Sequence, residues 1–125
     1  MDSKKFEKIF SALSSPLRLQ ITLLMAKRPL CVCELENIFD VSQPAISQNL
    51  KILKEANLID ERKEKQWTFF STNKEILHSV FSEFFELLEK EDTFIEIAGL
   101  KISDLPYDPK KSCEILRNKK INVKK

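Results

Sequence analysis

The chain has 125 residues, a formal net charge of +2 and a single glycine beside five prolines, a size that holds one domain and permits long unbroken helices. Its three cysteines are an odd number, which argues against a disulfide-stapled secreted scaffold, and no apolar run is long enough to cross a membrane. Lys4, Lys5, Glu7 and Lys8 stand where a secretory leader needs an apolar stretch, so a soluble, cytoplasmic protein is expected.

Phe6, Ile9, Phe10 and Leu13 recur at helical spacing and predict an amphipathic first helix. Ser15-Pro16 reads as an N-cap followed by Pro at the first helical position, opening a second helix to about Ala26 with Leu17, Ile21 and Leu24 inward. Lys27-Arg28-Pro29 ends it. A third, short helix is predicted from about Leu30 to Phe39, burying Val32, Leu35 and Phe39. Asp40-Val41 makes a tight turn and Ser42 caps a fourth helix, whose inner face is Ile46, Leu50 and Leu53, with Ala56 at its end. Asn57, a residue type that tolerates positive φ, closes it.

Two short strands are then predicted, about Leu58–Glu61 and Gln66–Ser71, joined by the charged stretch Arg62-Lys63-Glu64-Lys65. Trp67, Thr68, Phe69 and Phe70 suit a half-buried pleated surface. A fifth helix spans about Lys74 to Lys90, with Leu77, Val80, Phe81, Phe84 and Leu88 on one face and Phe85 and Leu87 beyond it. That apolar surface is wider than a small domain needs for itself, so a dimer interface is expected. Past Asp92 the periodicity fades, and Pro106 and Pro109 are expected to break any helix. Charge is uneven here: residues 73–109 hold three basic and nine acidic side chains, residues 110–125 seven basic and one acidic, giving a basic tail. The sum is a mainly α chain with a small β-hairpin. It reads as a dimeric winged helix-turn-helix of five helices plus wing, with a DNA-binding and dimerisation domain over residues 1–92 and a C-terminal extension over residues 93–125.

The outer face of the fourth helix offers Ser42, Gln43, Pro44, Ser47, Gln48 and Lys51. Gln pairs in a bidentate way with adenine, Ser donates or accepts, and Lys neutralises phosphate, which is the chemistry of a major groove. An ordinary solvated helix face uses the same residue types. The hairpin tilts the choice, because Arg62, Lys63 and Lys65 on a ribbon directly after such a helix can reach DNA backbone or minor groove.

The stretches Leu13-Ser14-Ser15-Pro16-Leu17-Arg18-Leu19, Cys31-Val32-Cys33-Glu34-Leu35, Ser42-Gln43-Pro44-Ala45-Ile46-Ser47-Gln48-Asn49-Leu50-Lys51-Ile52-Leu53 and Leu58-Ile59-Asp60-Glu61-Arg62-Lys63 together resemble the arsenic-responsive repressor (ArsR/SmtB) family of bacterial metal sensors, over roughly residues 6–90. The resemblance implies a homodimer that binds double-stranded operator DNA at an inverted repeat and lets go when an inducer binds. At the wing tip the family often has Gly where this chain has Lys65, which leads to the expectation of a longer or looser turn.

Cys31 and Cys33 lie at the start of the predicted third helix, where the helix dipole favours thiolates, and thiolates select soft ions. On a regular helix, residues i and i+2 point about 200° apart, so joint ligation needs a distorted first turn. The resemblance implies that this pair takes arsenite or antimonite as inducer, or forms part of a cadmium or lead site. Trivalent arsenic is satisfied by three thiolates, and arsenic-sensing relatives often carry a third cysteine a few residues on, where this chain has Glu34-Leu35-Glu36-Asn37. Two completions stay open. Cys113 can fold back, on its own or the partner subunit, or water or a small thiol can fill the place. Other readings of the pair are a small buried hydrophobe and a switch answering oxidants or persulfides. Cys113 can equally be a free tail cysteine.

His78 is the sole histidine and Glu83, Glu86 and Glu89 form a solvated acidic face, so a histidine-based zinc site is not expected. With one His, one Gly and no phosphate loop, the chain has nothing to perform catalysis and no organic cofactor is called for. A winged helix used purely for protein interaction is the reading from a different class.

Overall fold

A computed structural model of the chain describes residues 3–89, 94–95, 100–101 and 104–119. These fall into two compact units, one running through Phe81 and one beginning at Ser82. The first holds α1 (Ser3–Leu13), α2 (Pro16–Met25), β1 (Leu30–Cys31), α3 (Val32–Phe39), α4 (Gln43–Glu55), β2 (Ile59–Glu64), β3 (Trp67–Thr72) and the first half of α5 (Lys74–Glu89). The second holds the rest of α5, a two-stranded antiparallel pair of β4 (Phe94–Ile95) and β5 (Leu100–Lys101), and α6 (Pro109–Lys119). Among the described residues no helix is long and apolar enough to cross a membrane.

Four helix starts follow one local rule, a side-chain oxygen accepting a first-turn N–H. Ser15 is extended (φ −84°, ψ 130°) and its hydroxyl accepts the Arg18 N–H, with Pro16 next, where a missing N–H costs nothing. Ser42 repeats this for α4 (φ −62°, ψ 153°), its hydroxyl accepting the Ala45 N–H. Asn73 Oδ1 accepts the Ile76 N–H at 3.1 Å to open α5, and Asp108 Oδ1 accepts the Lys110 N–H at 3.1 Å to open α6. The ends are equally local. Asp40 (φ 51°) and Asn57 (φ 59°) take left-handed backbone after α3 and α4, as short polar side chains tolerate.

The core of the first unit is Ile21 and Met25 from α2, Leu35 from α3, Ile46 and Leu53 from α4, Leu58, and Val80 from α5, each fully buried. Phe6, Ile9 and Ala12 seal it along α1. The sheet has the order β1-β3-β2, antiparallel throughout, with Leu30 opposite Phe70 and Cys31 opposite Phe69 on one side of β3. On its other side Ile59 faces Thr72 and the ladder runs out to Glu64 opposite Trp67.

Several expectations need correction. Leu30 and Cys31 are strand, not the start of α3, so the wing is three-stranded rather than a lone hairpin. Val32 and Phe39 are half-buried, and in α2 Met25 takes the buried place expected of Leu24, which is exposed. The wing strands extend through the charged stretch, because an outer β-ribbon faces water and accepts charged residues along its length. The turn at Lys65-Gln66 is tight and has two residues, Lys65 itself taking φ 57° where the family's Gly would sit freely. Pro109 does not break a helix but starts one, so the described residues contain six helices, and much of the basic tail is α6.

Candidate nucleic-acid interface and thiol site

α3, the Asp40–Ser42 turn and α4 form the helix-turn-helix, with α3 packed on α4. The turn is short because Asp40 reverses the chain in left-handed backbone and the Val41 N–H donates back to the Glu36 carbonyl at 3.4 Å. α4 divides cleanly by face. Ile46, Leu50 and Leu53 are buried, while Ser42, Gln43, Pro44, Ser47, Gln48 and Lys51 are all exposed.

The orientation of that exposed face rests on Arg18, whose role the sequence reading did not include. From α2 its Nε donates to the Ala12 carbonyl at 2.7 Å, at the end of α1, and its Nη1 donates to Asn49 Oδ1 at 3.2 Å on α4. Asn49 answers by donating Nδ2 to the Ala45 carbonyl at 2.8 Å. One guanidinium thus pins three helices, using the fixed fork of donors that a lysine lacks. An arginine between Leu17 and Leu19 was the available signal, but its partner lies 31 residues away.

The wing carries Arg62, Lys63 and Lys65, all exposed. Arg62 Nη2 lies 3.4 Å from Glu64 Oε2, and the guanidinium sits over the Phe69 ring at 5.9 Å from its centroid. Lys54 near the end of α4 forms an ion pair with Glu61 on β2, joining that helix to the ribbon.

The thiols occupy a boundary. Cys31 ends β1 and is the N-cap of α3, in extended backbone (φ −95°, ψ 167°), and is buried. Cys33 is the second residue of α3 and is exposed. The regular-helix objection to joint ligation therefore falls away, because Cys31 is outside the helix. The Cys31 N–H donates to Glu34 Oε1 at 3.0 Å, and Arg28 Nη2 reaches Glu34 Oε2 at 3.3 Å. The Glu34 carboxyl is held below its ordinary pKa, first by that Cys31 N–H, against partial burial, with the Cys31 thiol and Arg28 adding to it. Asn37 donates Nδ2 to the Cys33 carbonyl at 2.8 Å and lies 3.7 Å from Cys33 Sγ. Cys113 is exposed on α6 of the second unit, and His78 is exposed on α5. Among the described residues no cluster of three or more His, Cys, Asp or Glu side chains is set up to hold an ion.

The model of the family described as bacterial regulatory protein, arsR family, matches residues 15–61, from the α2 cap into β2. The arsenical resistance operon repressor of Bacillus subtilis is 38% identical over 81 residues, covering 64% of this chain and 77% of that one. The chain belongs to the arsR family. The arsenic resistance transcriptional regulator ArsR1 of Pseudomonas putida is 28% identical over 102 residues, covering 81% of this chain and 80% of that one. Among solved structures, HlyU from Vibrio cholerae matches with a TM-score of 0.57 at 30% identity, over 71% of this chain and 98% of that one. As an arsR-family protein the chain is a DNA-binding transcription regulator with a winged helix-turn-helix, and the matched stretch contains both the thiol pair and α4.

Proposed function

We propose that the chain is a homodimeric repressor that grips an inverted-repeat operator and releases it when arsenite or antimonite binds Cys31 and Cys33. Gln43, Ser47 and Gln48 read base edges in the major groove, Ser42, Pro44 and Lys51 meet the backbone beside them, and Arg62, Lys63 and Lys65 of the wing meet phosphate or minor groove. Dimerisation uses α5, where Phe85 and Leu88 are 58% and 64% exposed.

The observation that carries the reading is the position of Cys31: one extended residue that ends a strand and caps the helix packed on α4. The donor chemistry suits the ligand. In As(OH)3, two As–O bonds are replaced by As–S bonds, each thiol proton leaving with a hydroxyl as water. Cys33, exposed, takes the first bond, and the second requires Cys31 to leave its buried place. That movement disturbs the cap of α3 and, through it, the pose of α4. In a dimer, small changes in the two reading heads spoil simultaneous contact with half-sites about 34–36 Å apart. The third As–O bond stays as a hydroxyl exchanging with water, or is replaced by a small thiol or Cys113 with loss of a further water.

The test is fluorescence anisotropy on duplex DNA selected by the protein from a random library, in reducing buffer, with arsenite, cadmium and zinc added in turn. Arsenite should release wild type and leave Cys31→Ser and Cys33→Ser bound. Release by cadmium alone assigns a different ion, and release of Cys113→Ser like wild type removes Cys113 from the ligand set. Unchanged affinity for all three ions in wild type overturns the proposal.

A further inference from the structure

The register of the sheet places three residues in one transverse row. Cys31 on β1 lies opposite Phe69 on β3, and Phe69 lies opposite Arg62 on β2. Side chains of directly opposed residues in antiparallel strands share a face, with Cβ atoms about 4.5–5.5 Å apart. Cys31, Phe69 and Arg62 therefore project from the same side, and the row grades from buried through half-buried to exposed. At its outer end the contact is specific, since the Arg62 guanidinium lies over the Phe69 ring and is held there by Glu64, which shares that face two residues on. At its inner end the strand is minimal. β1 has two residues, and Cys31 is one of them.

We infer that Phe69 is a positioning residue that couples the thiol pair to the wing, so that occupation of Cys31 resets Arg62 as well as α4. The inference rests on Cys31 being an inducer ligand, as proposed above. When the second sulfur bond draws Cys31 out of its place, half of β1 loses its partner on β3 and the Phe69 ring loses the neighbour on its buried side. The ring then relaxes toward the vacated space, and the guanidinium resting on it loses both its aromatic seat and its alignment with Glu64. A single displacement thereby reaches two DNA-facing elements by separate routes: α4 through the α3 cap, and the wing through the row. The coupling is a free-energy link between two sites, measured as the factor by which one ligand changes the affinity for the other.

The full-length chain is tested with sodium arsenite and its selected operator, comparing wild type with Phe69→Leu, which keeps an apolar side chain but removes the ring. Arsenite affinity is read from the near-ultraviolet absorption of the arsenic–sulfur bonds, and operator affinity from anisotropy with and without arsenite. Allosteric factors of about 5–150-fold are typical. Phe69→Leu should bind arsenite within about threefold of wild type while losing the wing's share of the factor by which arsenite weakens operator binding, the α4 route remaining. A factor equal to that of wild type overturns the inference. Hydrogen exchange of the DNA-free wild type gives a second reading, needed if the variant folds poorly. Arsenite should raise exchange at the amides of Arg62 and Phe69, and a change confined to α3 and α4 overturns the wing route. If wild type binds arsenite with no effect on operator affinity, the reading of the thiol pair falls and this inference falls with it. If wild type releases normally and Phe69→Leu releases by the same factor, the inference falls alone.

Discussion

The exposed face of α4 and the thiol pair at the start of α3 are built on opposite plans. α4 is thirteen residues of regular helix with a buried face and an exposed one, so its polar side chains are displayed by periodicity alone. The thiol pair has no periodicity to lean on. Cys31 belongs at once to a strand and to a helix cap, one thiol is buried and the other exposed, and the pair is held by a carboxylate three residues on. A rigid element suits recognition, where side chains must stand still against a groove. A junction suits control, because displacing one residue there alters two elements together.

The largest expected effect on this contrast is at the base of the rigid side. Leu53 is fully buried under α4, and Leu53→Ala should cost about 2–5 kcal/mol in urea unfolding. Cys33→Ser, at an exposed junction residue, should unfold almost as wild type does. Next comes the clamp. Arg18→Ala removes hydrogen bonds from a charged donor to Ala12 and Asn49 and should cost about 1.5–3 kcal/mol, together with a loss of operator affinity that Arg18→Lys recovers only in part. Equal stability of Arg18→Ala and wild type would show that α4 holds its pose without it.

A smaller effect of opposite sign is expected at the wing tip. Lys65 takes positive φ, a conformation that costs a residue with a Cβ about 1–2 kcal/mol, so Lys65→Gly should stabilise the fold by up to about 1 kcal/mol after the glycine's own entropy loss. The same change should weaken operator binding and lower its salt dependence if Lys65 meets phosphate. The smallest effect is that of Glu34. Its carboxyl has a lowered pKa in the folded chain, so its contribution is fully present above the ordinary carboxylate pKa and is lost as pH falls through the depressed value. Glu34→Gln should therefore lower stability slightly at neutral pH and converge with wild type in acid, which flattens the acid limb of its profile. An acid limb identical in both proteins would remove Glu34 as the tether of Cys31.

The same contrast explains what the sequence made legible. Ser15-Pro16, Ser42 and Asn57 are local signals, each satisfied within a few residues, and the helices they bound stand where expected. Asp108-Pro109 is the same signal as Ser15-Pro16, yet Pro109 reads as a breaker when no apolar stripe follows to announce a helix. Arg62 to Glu64 look like a loop because charge stands in for the missing alternation, although exposed ribbon strands tolerate it. What could not be read is long-range. The β1–β3 pairing that makes Cys31 a strand residue and the Arg18–Asn49 bond join positions far apart in the chain, and neither leaves a pattern in its own neighbourhood.

The central claim is that the thiol pair and the reading head are thermodynamically one device, and reciprocity tests it most directly. Arsenite affinity should be measured on the free protein and on the protein saturated with operator, under one set of reducing conditions. Arsenite should bind more weakly on DNA, by the same factor that arsenite weakens operator binding. Equal arsenite affinity in the two states would contradict it.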